Sequence, residues 1–122
     1  MINIDTNIIV RVFLADDKKQ YEEAKKIFNQ NNKFYISSCV LLEFVWVLKT
    51  KKYTRLEIYN CLNELIELNN IVIGQKDLIV SSLNRYKNGK ADFSDYMIFE
   101  DGLYIGAKEF KTFDKKLFEE LG

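Results

Sequence analysis

Five carboxylates stand where this sequence could do chemistry: Asp5 in MINIDTN, Glu43 in VLLEFVWVL, Asp92 and Asp95 in ADFSDYM, and Asp114 in TFDKK. No histidine accompanies them anywhere in the 122 residues. That absence removes histidine general bases, Ser-His-Asp triads, Cys-His pairs and the usual zinc sites. Cys39 and Cys61 are spaced like no zinc pattern, and without an export signal each is expected to be a buried free thiol. What remains is chemistry through oxygen. Carboxylates gathered in one place repel one another unless cations neutralise them, and all-oxygen ligands suit magnesium or manganese rather than zinc.

Each aspartate also has a plainer role. Aspartate is among the best helix N-caps, and a negative charge in the first turn complements the helix dipole. Asp5, Asp92 and Asp114 each precede a helical pattern, and Asp95, three residues after Asp92, suits an Asp-x-x-Asp capping arrangement. Glu43 has no such role. Val40, Leu41, Leu42, Phe44, Val45, Trp46, Val47 and Leu48 surround it, and a helix apolar all round is expected to be buried on most sides. A carboxylate there is protonated, paired with a cation such as Lys49 or Arg11, bound to a metal, or turned to a wet cleft.

The elements that must position these groups follow from hydrophobic periodicity. Residues 2–4 read as a strand and Ile8–Leu14 as an apolar-rich helix. Tyr21, Ala24, Ile27 and Phe28 recur at helical spacing within Lys18–Asn29. Phe34–Ile36 is a second strand, followed by a helix to about Lys49 with Ser37 or Ser38 as its cap. Thr54–Leu68 sets Leu56, Tyr59, Leu62, Leu65 and Ile66 on one helical face. Ile71–Ile73 is a third strand, Asp77–Tyr86 a helix, and Lys87-Asn88-Gly89 a turn. A helix from Asp92 carries Tyr96, Met97, Phe99, Leu103 and Tyr104 and ends at Gly106. Phe110–Phe113 reads as a last strand before a helix opened by Asp114.

This alternation is the order of an α/β fold with a mainly parallel sheet and helices on both faces. Ligand sites in such sheets lie beyond the carboxyl ends of the strands, where Asp5 and Asp114 stand. The length suits one domain over residues 1–122. With 18 basic and 18 acidic residues the net charge is zero, so any polyanion contact must be local. No apolar run is long enough to span a bilayer. No basic residue precedes Arg11, so the start does not resemble an export leader, and a cytoplasmic protein with no membrane partner is expected.

NIDTNIIVR, LLEFVWVL, ADFSDYMIF and KTFDKKL, in this order and spacing, resemble the four motifs of the PIN domain, and most closely its small VapC-like toxin ribonucleases. The resemblance runs from Ile2 to Leu117. It implies a three-layer α/β/α sandwich around a mainly parallel sheet of four to five short strands. It maps the family's acidic site onto Asp5, Glu43, Asp95 and Asp114, with Asp92 as a supporting carboxylate and Thr6, Asn7 and Thr112 as polar neighbours. Asp95 is favoured over Asp92 because it heads the apolar stretch as the family's main acid does. The resemblance further implies a Mg2+- or Mn2+-dependent endoribonuclease that leaves 5′-phosphate and 3′-hydroxyl ends. Its implied partners are RNA, an antitoxin covering the acidic pocket, and a second copy in a homodimer.

RNA contacts are less distinct in the sequence. Lys49, Lys51, Lys52 and Arg55 surround Tyr53 in KTKKYTR, a set of phosphate contacts with a stacking ring. Lys90, Lys115 and Lys116 lie near the acids in sequence and are alternative phosphate holders. The plain alternative is a solvated basic loop. A phosphoacceptor receiver domain is excluded because Ile71–Ile73 leads into Gly74-Gln75 rather than an aspartate. A haloacid-dehalogenase-type phosphatase is excluded because Asn7 stands where its second aspartate belongs. The remaining rival is a catalytically silent PIN-like module that binds RNA or protein.

Overall fold

Short apolar stretches at Ile2, Phe34 and Ile71 pair as a parallel sheet in the computed structural model, which describes residues 1–14, 18–28 and 31–121. β1 (Ile2–Asn3) lies beside β2 (Phe34–Ile36), and β2 beside β3 (Ile71–Ile73). Phe34 stands opposite both Ile2 and Ile71. Phe34 and Ile36 of the central strand are fully buried, as befits a strand with neighbours on both edges. Parallel neighbours need crossover connections. α1 (Thr6–Leu14) and α2 (Lys18–Phe28) lie between β1 and β2 in the chain, and α3 (Ser38–Thr50) and α4 (Arg55–Glu67) between β2 and β3. These elements form one compact unit, Met1–Gly74. A second, Gln75–Gly122, holds α5 (Lys76–Asn88), α6 (Phe93–Ile105) and α7 (Lys115–Leu121).

In the first unit local chemistry sets the helix starts. Ser37, not Ser38, caps α3, its hydroxyl accepting the Val40 amide at 3.2 Å. Thr54 caps α4 in a reciprocal box: its hydroxyl accepts the Glu57 amide at 3.1 Å, and the Glu57 carboxylate accepts the Thr54 amide at 2.9 Å. Bonds from the Thr54 amide, and then from its hydroxyl, hold the Glu57 carboxyl below its usual pKa. Ile58, Leu62, Leu65 and Ile66 form the buried face of α4. Leu56, expected on that face, is exposed; the inward stripe passes through Ile58 instead. Phe13 of α1 meets Phe44 of α3 edge to face at 5.8 Å, and Phe28 of α2 lies 5.1 Å from Phe34. The first of these contacts holds together the two helices that carry Thr6 and Glu43.

In the second unit Tyr86 of α5 and Phe93 of α6 pack as a T-shaped pair at 5.8 Å. Arg85 pairs with Glu100 and lies over the Phe99 ring, 4.9 Å from its centre. Gly106 takes the left-handed conformation, φ 97°, and ends α6 as its sequence position predicts.

The α/β class with a parallel sheet stands, but several details differ. Phe110–Phe113 forms no strand, so the described residues hold three strands rather than four or five. Phe110 instead meets Phe99 edge to face at 5.2 Å while Phe113 stays exposed. Two aromatic rings separated by Lys111 and Thr112 do not carry enough alternation to hold a ladder. Lys87 and Asn88 extend α5 rather than forming a turn, and α1 begins at Thr6 rather than Ile8. Asn29, the expected end of α2, lies outside the described residues. Both cysteines are free, but Cys39 is exposed rather than buried. Cys61 is half-buried, and burial, followed by the Glu64 charge, pushes its thiol up to about 11. No helix among the described residues is long and apolar enough to cross a membrane.

Candidate active site

Thr6 ties two of the candidate carboxylates together. β1 leads through buried Ile4 to exposed Asp5, and Thr6 opens α1 with only 4% of its surface exposed. Its amide donates to Asp5 Oδ1 at 2.7 Å and its hydroxyl donates to Glu43 Oε2 at 3.0 Å. Residues far apart in the chain thus meet at one buried threonine. Asp5 also serves the helix start, its carbonyl accepting the Ile8 amide at 3.2 Å. Its carboxylate, however, engages the first helical amide rather than the second or third that an N-cap side chain normally takes.

Glu43 is exposed, which corrects the expectation that α3 is buried on most sides. The helix buries Leu41, Phe44, Val45 and Leu48 and turns Cys39, Glu43, Trp46 and Thr50 outward. These two stripes follow the helical repeat. Overall hydrophobicity concealed them because the outward stripe also contains a tryptophan. Glu43 faces solvent and accepts the Thr6 hydroxyl.

The second unit presents its acids at two helix starts. Asp92 is the N-cap of α6, exposed, and its amide donates to Asp95 Oδ2 at 3.2 Å. Asp95 is half-buried, and its own amide donates to the Asp92 carbonyl at 3.0 Å. The Asp-x-x-Asp capping arrangement therefore forms. Asp114 Oδ1 accepts the Leu117 amide at 3.0 Å, the ordinary N-cap bond, and so starts α7. The Thr112 hydroxyl accepts the Asp114 amide at 3.0 Å, so it steadies the backbone of Asp114 rather than its carboxylate. Asn7 is exposed on the first turn of α1.

Tyr96, read from the sequence only as an apolar helix residue, has a further role. Its hydroxyl donates to Glu120 and accepts the Ala91 amide at 3.1 Å, while the Lys90 amide donates to Glu120 at 3.4 Å. Gly89 lies against these same two side chains and 2.9 Å, at the position of an added Cβ, from the Arg85 carbonyl. A side chain there would displace them. The segment leading into Asp92 is therefore held to α7. Nothing in the periodicity of α6 signals this, because a tyrosine on a buried face reads as core.

Of the candidate RNA-contact residues, Lys49, Lys51 and Lys52 are exposed where α3 ends, Lys52 in the left-handed region at φ 64°, and Arg55 is half-buried. Tyr53 is half-buried as well, its amide donating to the Leu48 carbonyl at 3.1 Å. Lys90, Lys115 and Lys116 are exposed in the second unit, and Lys90 and Lys116 line one shallow pocket with Asn88, Gly89, Glu119 and Glu120.

Among the described residues no group of three or more Asp, Glu or Cys is gathered closely enough to hold a metal ion. Asp5 with Glu43 and Asp92 with Asp95 come in twos. The donor set is nevertheless that of a hard divalent cation, oxygen throughout, and magnesium commonly takes one or two carboxylates and keeps several waters.

No curated protein and no solved structure matches the chain. The family model of the PIN domain matches residues 2–122 and so extends over both units. With Asp5, Glu43, Asp92, Asp95 and Asp114 all inside that match, the chain belongs to the PIN-domain family, whose members are in general nucleases.

Proposed function

We propose that this protein is a metal-dependent endoribonuclease and the toxin of a toxin–antitoxin pair, hydrolysing RNA phosphodiesters to 5′-phosphate and 3′-hydroxyl ends. The observation that carries the reading is Thr6 bonded at once to Asp5 and Glu43 in a chain of a nuclease family. The proposed cation ligands are Asp5, Glu43, Asp95 and Asp114, with Asp92 in support. Oxygen-only donors suit Mg2+ or Mn2+. An ion held by these carboxylates would supply a water of lowered pKa for in-line attack and positive charge for the leaving 3′ oxygen.

The chain's own residues set the donors in place. Thr6 orients Asp5 and Glu43 through separate atoms, so neither carboxylate depends on the other for its rotamer. The Asp92 amide fixes Asp95, and the Leu117 amide fixes Asp114. No histidine base is needed. The exposed lysines hold phosphates, and the basic and acidic residues balance over the chain, so RNA is met locally rather than by a long-range field. An antitoxin covering the acids, a homodimer and a cytoplasmic setting belong to the same proposal.

Incubation of the purified protein with total cellular RNA tests it. Cleavage appears with Mg2+ or Mn2+, stops in excess chelator, and is lost in Asp5→Asn and Asp95→Asn variants that melt within a few degrees of wild type. End analysis finds 5′-phosphates. Undiminished cleavage in chelator sinks the metal-dependent reading. RNA binding without cleavage under any divalent cation leaves the silent binding module instead.

A further inference from the structure

We infer that Trp46 is the base-stacking platform for the single-stranded RNA substrate, an inference that rests on the ribonuclease reading above. Trp46 is 66% exposed, although tryptophan is highly buried on average. Its helical neighbours at three and four residues are Leu42, Glu43, Lys49 and Thr50, and the last three are exposed and polar. A helix face that docks into another protein repeats apolar anchors at that spacing. The face around Trp46 does not.

An exposed indole beside ammonium groups is instead the arrangement that single-stranded nucleic acid uses, with a ring for the base and a cation for the phosphate. Glu43 lies three residues before Trp46, about 4.5 Å along the helix axis, and is bonded to Thr6 and through it linked to Asp5. Lys49 lies equally far on the other side, and exposed Lys51 and Lys52 follow at the helix end. The ring therefore stands between Glu43, with Asp5 linked to it, and the lysines proposed to hold the neighbouring phosphates. Tyr53, the stacking ring expected from the sequence, is half-buried. The role passes to Trp46 because that ring alone of the two is mostly in water.

The chain has one tryptophan, so its fluorescence reports this residue and no other. The wild-type protein is titrated with fluorescein-labelled oligoadenylate in chelator, with tryptophan emission and label anisotropy followed together. Emission falls saturably along the same isotherm as the anisotropy. Trp46→Ala binds about tenfold more weakly, while Trp46→Phe, which keeps a ring, stays within about threefold of wild type. Binding by anisotropy with unchanged emission, or with Trp46→Ala equal to wild type, overturns the inference. The nuclease reading then stands or falls on the cleavage assay alone. An emission shift that follows protein concentration and ignores RNA assigns this face to a protein contact and overturns it equally.

Discussion

At the scale of single residues, Thr6 is the hinge of the candidate site. It is buried, yet both of its polar donors point at carboxylates on exposed residues. Its neighbour Asp5 is visible in the sequence as a strand-end acid, but the link to Glu43 is not, because it depends on how α1 meets α3. Thr6→Val keeps the shape and removes the hydroxyl donor. Since Glu43 faces solvent, water replaces the lost bond and stability changes by about 1 kcal/mol or less. Cleavage falls roughly ten- to a hundredfold, because a carboxylate free to change rotamer no longer meets its ligand in one geometry. Thr6→Ser restores most of it. Thermal melts beside initial cleavage rates measure both effects, and a Thr6→Val enzyme as active as wild type would remove the bond from the proposed mechanism.

At the scale of elements, helix starts carry more of the design than helix interiors. α3, α4, α6 and α7 each begin on a Ser, Thr or Asp, and Asp92 and Asp114 of the second unit are among these caps. Capping and chemistry are thus not rival explanations for Asp92 or Asp114, since a cap that fixes one oxygen also fixes the direction of the carboxylate. The α4 box isolates the capping part, away from the candidate ligands. Thr54→Ala costs about 1 kcal/mol at neutral pH. The pH dependence follows from Glu57, whose folded-state pKa lies below its unfolded value. Its share of the box is present above the unfolded pKa and lost as pH falls through the folded one. The gap between wild type and Glu57→Gln, which keeps the shape and cannot ionise, therefore narrows in acid, a trend that urea unfolding across the acidic range checks.

At the scale of the whole molecule, a PIN-family chain with zero net charge has no general attraction for a polyanion, so the ribonuclease proposed above would have to hold RNA by particular contacts. Inducing the protein alone should slow growth, and Asp5→Asn or Asp95→Asn should abolish the effect without lowering the yield of folded protein. Growth curves with RNA integrity measured in the same cultures check this. A wild type that is harmless in several hosts and leaves RNA intact points to the binding module.

The sequence by itself determined the α/β class, most of the helices, a serine cap for α3, the stop at Gly106, and the absence of histidine chemistry. These follow from local rules: periodicity, the geometry of one turn, and which side chains are present at all. It did not determine which way α3 and α4 face. In α3 nearly every position is apolar, so periodicity was silent; packing of Phe44 against Phe13 chose the inward stripe and left Glu43 and Trp46 outside. In α4 two apolar stripes competed, and burial of Ile58 with Leu62 turned Leu56 to solvent. The failed strand at Phe110–Phe113 has the same origin, since a strand exists only where a neighbour's backbone accepts its ladder, and a six-atom ring contact to Phe99 was the better local partner. The bond from Thr6 to Glu43 was decided only when those helices packed, because a hydrogen bond between residues distant in the chain has no trace in the spacing of either.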